Sequence, residues 1–241
     1  MSAISPARRR DRRHGRGRPA QAGPGGRPAW TGPSDRMVLG YPRAWVAAAA
    51  CATLLVVGGT QYGFGAVAVR LDAAARWGPL AEAWGLAAWA ACHAAAGGAL
   101  CLSRRHRRVD PARTAAFGAA CGALGLLFGG AIANPAGAVA VGAAGAGAGT
   151  GLVYGTCVTV VAGWFPGSRV PTALAGWAFG AFPFALAAVS GAAAPLTALA
   201  WVSLAVTALC APFLRDAPRG WWPSQAMSPH HMPMKETRRN R

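Results

Sequence analysis

One side chain able to titrate near neutral pH lies inside the apolar stretches of this chain: His93, in the run ACHAAAGG. An ionisable group is costly in hydrocarbon, so a histidine at that depth faces a cavity or the interior of a helix bundle. There it touches a solute, passes a proton, or rests neutral against a backbone carbonyl. No acidic residue in those stretches stands ready to pair with it, and the functional and packing readings weigh equally. Gln61, Tyr62 and Tyr154 are the other polar groups at mid-membrane depth. Each is a candidate solute contact or an interhelical hydrogen-bond former.

Catalysis is not expected. Ser190 sits near the end of its apolar run with nothing to pair it with His93, and no carboxylate pair or HExxH motif lies near the membrane. The GAGAG of residues 145–149 follows no strand, so it lacks the strand–turn–helix setting that aims amides at a phosphate. Cys51, Cys92, Cys101, Cys121, Cys157 and Cys210 fall in apolar runs without CxxC spacing, which suggests packing residues rather than a zinc site or disulfide framework. His230, His231, Met232 and Met234 are soft-metal ligand types, but such letters arise easily in a polar tail. Neither a metal nor a cofactor is assigned.

The elements that must position these residues are membrane spans. The chain has 241 residues, 54% hydrophobic and 13% charged, with a mean hydropathy of +0.29, too apolar for an ordinary soluble domain. Six runs are long enough to cross a hydrocarbon core as helices: 44–69, 83–102, 114–133, 136–162, 170–193 and 195–214. Sheet edges would go unpaired in lipid, and the alternation of a membrane barrel strand is absent, so the fold class is an all-α membrane protein. Within the fourth run, Gly147, Gly151 and Gly155 share one face and let a neighbouring backbone approach closely.

A net charge of +17 would ordinarily raise nucleic acid as a partner. The basic residues, however, lie almost wholly in the tails and in alternate connections, with Arg70 and Arg76 the exceptions. That is a topology signal, and it places both termini in the cytoplasm. Trp45, Trp164, Trp221 and Trp222 then fall at the inner interface, and Trp77 and Trp84 at the outer. Residues 1–43 have little apolar surface to bury and are expected to be disordered, and 215–241 form a second cytoplasmic tail. The run ARRRDRRHGRGR suits an anionic inner leaflet, at roughly 1 kcal/mol per basic residue near the surface. No nucleic-acid partner is assigned. A cleaved signal peptide is not expected, because the first apolar run is too long and follows a long basic leader.

The segment GAGTGLVYGTCVTVVAGWFPGSR resembles the fourth helix and following turn of major facilitator superfamily transporters, most closely the oxalate/formate antiporter family. RDAPRGWWP, residues 215–223, is similar to the segment that leaves that family's sixth helix, and the QYGFG step at 61–65 fits its first. The resemblance covers residues 44–223. It implies an N-terminal six-helix half of a transporter in a bacterial inner (plasma) membrane, moving a small organic anion or monocarboxylate, with helices one and four lining the cavity. A second six-helix half or a second copy of the chain would complete it. The loop after helix two departs from the family: GGALCLSRRHRRVDPAR lacks the usual aspartate. Asp110 is then the acid expected to pair with Arg104, Arg105 or Arg169 across the cytoplasmic face, as a gate or topology determinant. No Arg or Lys falls inside a span, so no charged anion site is assigned. The other reading is a non-transporting scaffold or degenerate relic that binds anionic lipid or an acidic partner.

Overall fold

The computed structural model describes residues 37–75, 78–106, 109–132, 134–166, 168–181, 183 and 195–218. A two-stranded ribbon, β1 (Met37–Val38) and β2 (Tyr41–Pro42), opens this part of the chain. Its two turn residues, Leu39 and Gly40, both have positive φ, as a tight hairpin turn of the primed type requires. The ribbon buries Val38 against Val46, Val160 and Trp164. The tail expected to be disordered to residue 43 is therefore ordered from Met37, because Val38 has a core to enter.

Helices follow: α1 (Ala44–Ala75), α2 (Gly78–His106), α3 (Pro111–Ala131), α4 (Pro135–Ala138), a π-helical turn (Val139–Ala143), α5 (Ala144–Trp164), α6 (Val170–Gly180) and α7 (Pro195–Cys210), which ends in a 3-10 turn (Ala211–Phe213). Proline stands at the first or second position of α2, α3, α4, α6 and α7. Its missing N–H is an orphan there in any case, and its fixed φ suits the helix. Asp110 caps α3, accepting from the amides of Ala112 at 2.9 Å and Arg113 at 3.4 Å. Asn134 does the same for α4, from Ala136 at 3.0 Å.

Among the described residues, four stretches are long and apolar enough to cross a membrane: Ala44–Gln61, Ala83–Arg104, Pro111–Gly129 and Val139–Trp164. They define a helical, membrane-embedded protein and coincide with the first four expected spans. The last two expected spans do not reach that length among the described residues. α6 has 11 residues, about 16 Å at 1.5 Å each, and residues 184–194 of the expected fifth span lie outside the described part. The sixth is represented by a shorter apolar helix, Thr197–Phe213.

α5 is the centre of the bundle, packed against α1, α2 and α3, while α1 also packs on α6 and α7. Glycines explain how one helix holds so many neighbours. A methyl on Gly147 would collide with the carbonyl of Trp89, and one on Gly151 with that of His93, while Gly155 lies against Gly97. These contacts climb both helices in the same order, so α2 and α5 run parallel. A second ridge serves α3: Gly149 sits on Gly118 and Gly122, Ala146 on Gly125, and Gly142, in the π-helical turn, on Gly129. Here the order descends, so α3 and α5 are antiparallel. Backbones this close bring Cα–H groups to carbonyls and gain dispersion where lipid supplies no hydrophobic drive.

Candidate functional site

His93 lies at the middle of its span, Ala83–Arg104, on the α2 face that meets the Gly147–Gly151 ridge. Its ring is stacked on Trp89, one turn earlier, at 4.7 Å and 25°. Tyr154 from α5 approaches at 5.6 Å and Phe179 from α6 at 5.7 Å, with those two rings edge-to-face at 5.2 Å. Nδ1 of His93 is 3.1 Å from Oγ1 of Thr150. The close approach at Gly151 produces this contact: with the two backbones touching, a side chain as short as threonine reaches the imidazole.

Beside this cluster, between α2 and α5, is a cavity of about 250 Å³ walled by His93, Gly97, Cys101, Tyr154, Val158 and Thr159. At 30 Å³ per water it has room for about eight waters. Its far end is tied to a cation. Arg104 donates from Nη1 to Oγ1 of Thr159 at 2.9 Å and from Nη2 to Asp216, and its side chain is 13% exposed.

The sequence-based candidates divide accordingly. His93 and Tyr154 come together on the cavity wall. Gln61 is not part of the described lining, and its Oε1 is buried without a hydrogen-bond partner. The side chain of Tyr62 lies outside the described residues. No described side chain of helix one lines this wall, and α2 faces α5 across it. The reason is packing: α1 turns its small residues to its neighbours, Gly58 against the backbone of Phe179 and the carbonyl of Val56 toward Ser203 of α7.

The expected pairing of Asp110 is also corrected. Both of its oxygens are engaged locally, on the α3 amides and on Arg113 at 3.5 Å, because a carboxylate is worth most where helix amides point at it. The acid that meets Arg104 is Asp216, beyond α7. Arg105 has no described side chain, and Arg169 is an exposed residue preceding α6. Trp164, expected at the lipid interface, is buried and donates from its indole to the carbonyl of Arg215 at 2.6 Å. Trp45 is exposed and stacks with Phe213 at 6.0 Å, and Trp84 is exposed as well. Trp77, Trp221, Trp222 and the tail residues His230, His231, Met232 and Met234 lie outside the described residues.

Thr150, Thr159, Trp89 and Phe179 were missed by the sequence reading. A signal existed for the first two: residues 147, 150, 151, 154, 155, 158 and 159 recur at three and four, so the two threonines share the glycine ridge's face. No protein-family model matches the chain, and neither the curated proteins nor the solved structures yield a match.

Proposed function

We propose that the chain is a membrane transport protein of the major facilitator type, similar to the oxalate/formate antiporters, that moves a small organic anion or monocarboxylate across a plasma membrane. One observation carries the reading: a cavity of about 250 Å³ between two membrane-length helices, with an imidazole and a tyrosine on its wall and Arg104 tied to its end through Thr159. An ionisable imidazole is expensive at mid-depth, and a solute anion is what would offset its charged form; Arg104, at the end of the span, already has Asp216. Alternating access needs a second six-helix half moving against this one.

Uptake of radiolabelled lactate and oxalate into proteoliposomes tests the proposal. Saturable entry above that of protein-free vesicles is the expected result. Absence of uptake of both probes would favour the scaffold reading, which has one observation of its own: Asp110, the acid of the loop after α2, is engaged in capping α3.

A further inference from the structure

We infer that the protein carries its anion together with a proton, and that the proton binds Nε2 of His93. The inference rests on the transport reading and supplies its coupling ion. It starts from a single hydroxyl hydrogen. Thr150 has one proton to give, and its Oγ1 donates to the carbonyl of Gly147 at 2.9 Å. The same oxygen, 3.1 Å from Nδ1 of His93, is therefore an acceptor, and Nδ1 carries the hydrogen. The neutral ring is thus held as the Nδ1–H tautomer, with its lone pair on Nε2.

Nε2 is the ring nitrogen left to take a proton. It has no hydrogen-bond partner among the described residues, and it is not among the buried atoms that lack one, which are Oγ1 of Thr53, Oε1 of Gln61, Nε1 of Trp89 and Oγ1 of Thr207. Adding a proton at Nε2 disturbs nothing already made. Nδ1 keeps its contact with Thr150, and the indole of Trp89, stacked at 4.7 Å, offers the resulting cation a π face. The opposite tautomer would require the Thr150 hydroxyl to turn away before the ring could charge.

The groups around the ring make the coupling mutual. Cys101 from α2 and Tyr154 from α5 line the same cavity, α6 contributes only the phenyl of Phe179, and Arg104 lies beyond Thr159 at the far end. No carboxylate lines it among the described residues. An imidazolium at mid-depth thus finds its counter-charge only in a bound anion, and a bound anion finds a cation at that depth only when His93 is protonated. Each raises the affinity for the other. The proton comes from water on the side to which the cavity opens and leaves with the solute, so a monocarboxylate crosses with no net charge.

The full chain, reconstituted in vesicles with a trapped pH dye, tests this with lactate. A gradient of one pH unit, acid outside, should drive about tenfold accumulation with a matching internal acidification, and His93→Gln should abolish the gradient's effect on whatever flux remains. Lactate entry indifferent to the gradient, or a gradient effect that survives His93→Gln, overturns the inference and leaves the transport reading standing. Absence of entry of both lactate and oxalate overturns the two together. Nitrogen NMR of histidine-labelled wild-type protein, with the His93 signals assigned by difference from His93→Gln, gives a readout independent of flux. Nδ1 should be the protonated nitrogen of the neutral ring, and a neutral ring protonated at Nε2 refutes the assignment.

Discussion

At the residue scale, two charged side chains at the basic end of the bundle have separate duties. Asp110 holds the first turn of α3, a contribution of about 1 kcal/mol for an N-cap. Asp110→Ala should destabilise the protein in detergent by that much, read as a lower melting temperature, and Asp110→Asn, whose oxygen can still accept from the amides, should change it little. Arg104 is nearly buried while its partner Asp216 is 55% exposed, so the two halves of the pair differ in worth. An exposed carboxylate contributes about 0–1 kcal/mol. The guanidinium also satisfies Thr159, and a hydrogen bond to a charged group is worth about 1.5–3 kcal/mol. Arg104→Ala is therefore expected to destabilise more than Asp216→Asn, by roughly 1 kcal/mol, in chemical denaturation of the micellar protein.

Among the elements, α5 is the one that cannot change. Its two glycine ridges are separated by about half a turn, which clamps it between α2 on one side and α3 on the other. Alanine at Gly149 or Gly151 would place a methyl in a neighbour's backbone, and backbone cannot yield as a flexible side chain does. Each substitution should cost about 1–3 kcal/mol or more, read as a lowered midpoint in thermal melts. Gly98 is the control. Nothing lies within 4 Å of a methyl there, so Gly98→Ala should stay within about 0.5 kcal/mol of the parent. The π-helical turn at Val139–Ala143 belongs to the same design, since it brings Gly142 onto Gly129 at the head of the α3 ridge.

For the molecule as a whole, one end of the bundle collects charge and aromatic rings. Arg43 lies over Phe165 at 5.0 Å and Tyr41, Trp45 and Phe213 form a ring cluster, near the ends of α2, α5 and α7 and the start of α3. The connection at Asn134 and Pro135, at the opposite end, bears no charge. If basic residues stay behind during insertion, a membrane-impermeant thiol reagent added to intact cells should label Asn134→Cys and not Arg113→Cys, in a background without native cysteines. Inverted vesicles should give the reverse. Labelling of Asn134→Cys from the cytoplasmic side alone would invert the topology.

Composition and periodicity by themselves determined that the chain is a helical membrane protein and where the first four helices lie, because burying a backbone in lipid leaves few alternatives. They also singled out His93, Tyr154 and the 147–151–155 ridge, since cost in hydrocarbon and spacing on a helix are local properties. The tertiary structure alone decided which helix each ridge meets, that the cavity lies between α2 and α5, and that Asp216 takes Arg104 while Asp110 caps α3. The same is true of the contact between Nδ1 of His93 and a threonine 57 positions away. Contacts of that kind depend on the register in which backbones pack, and no pattern within one helix encodes the register of another.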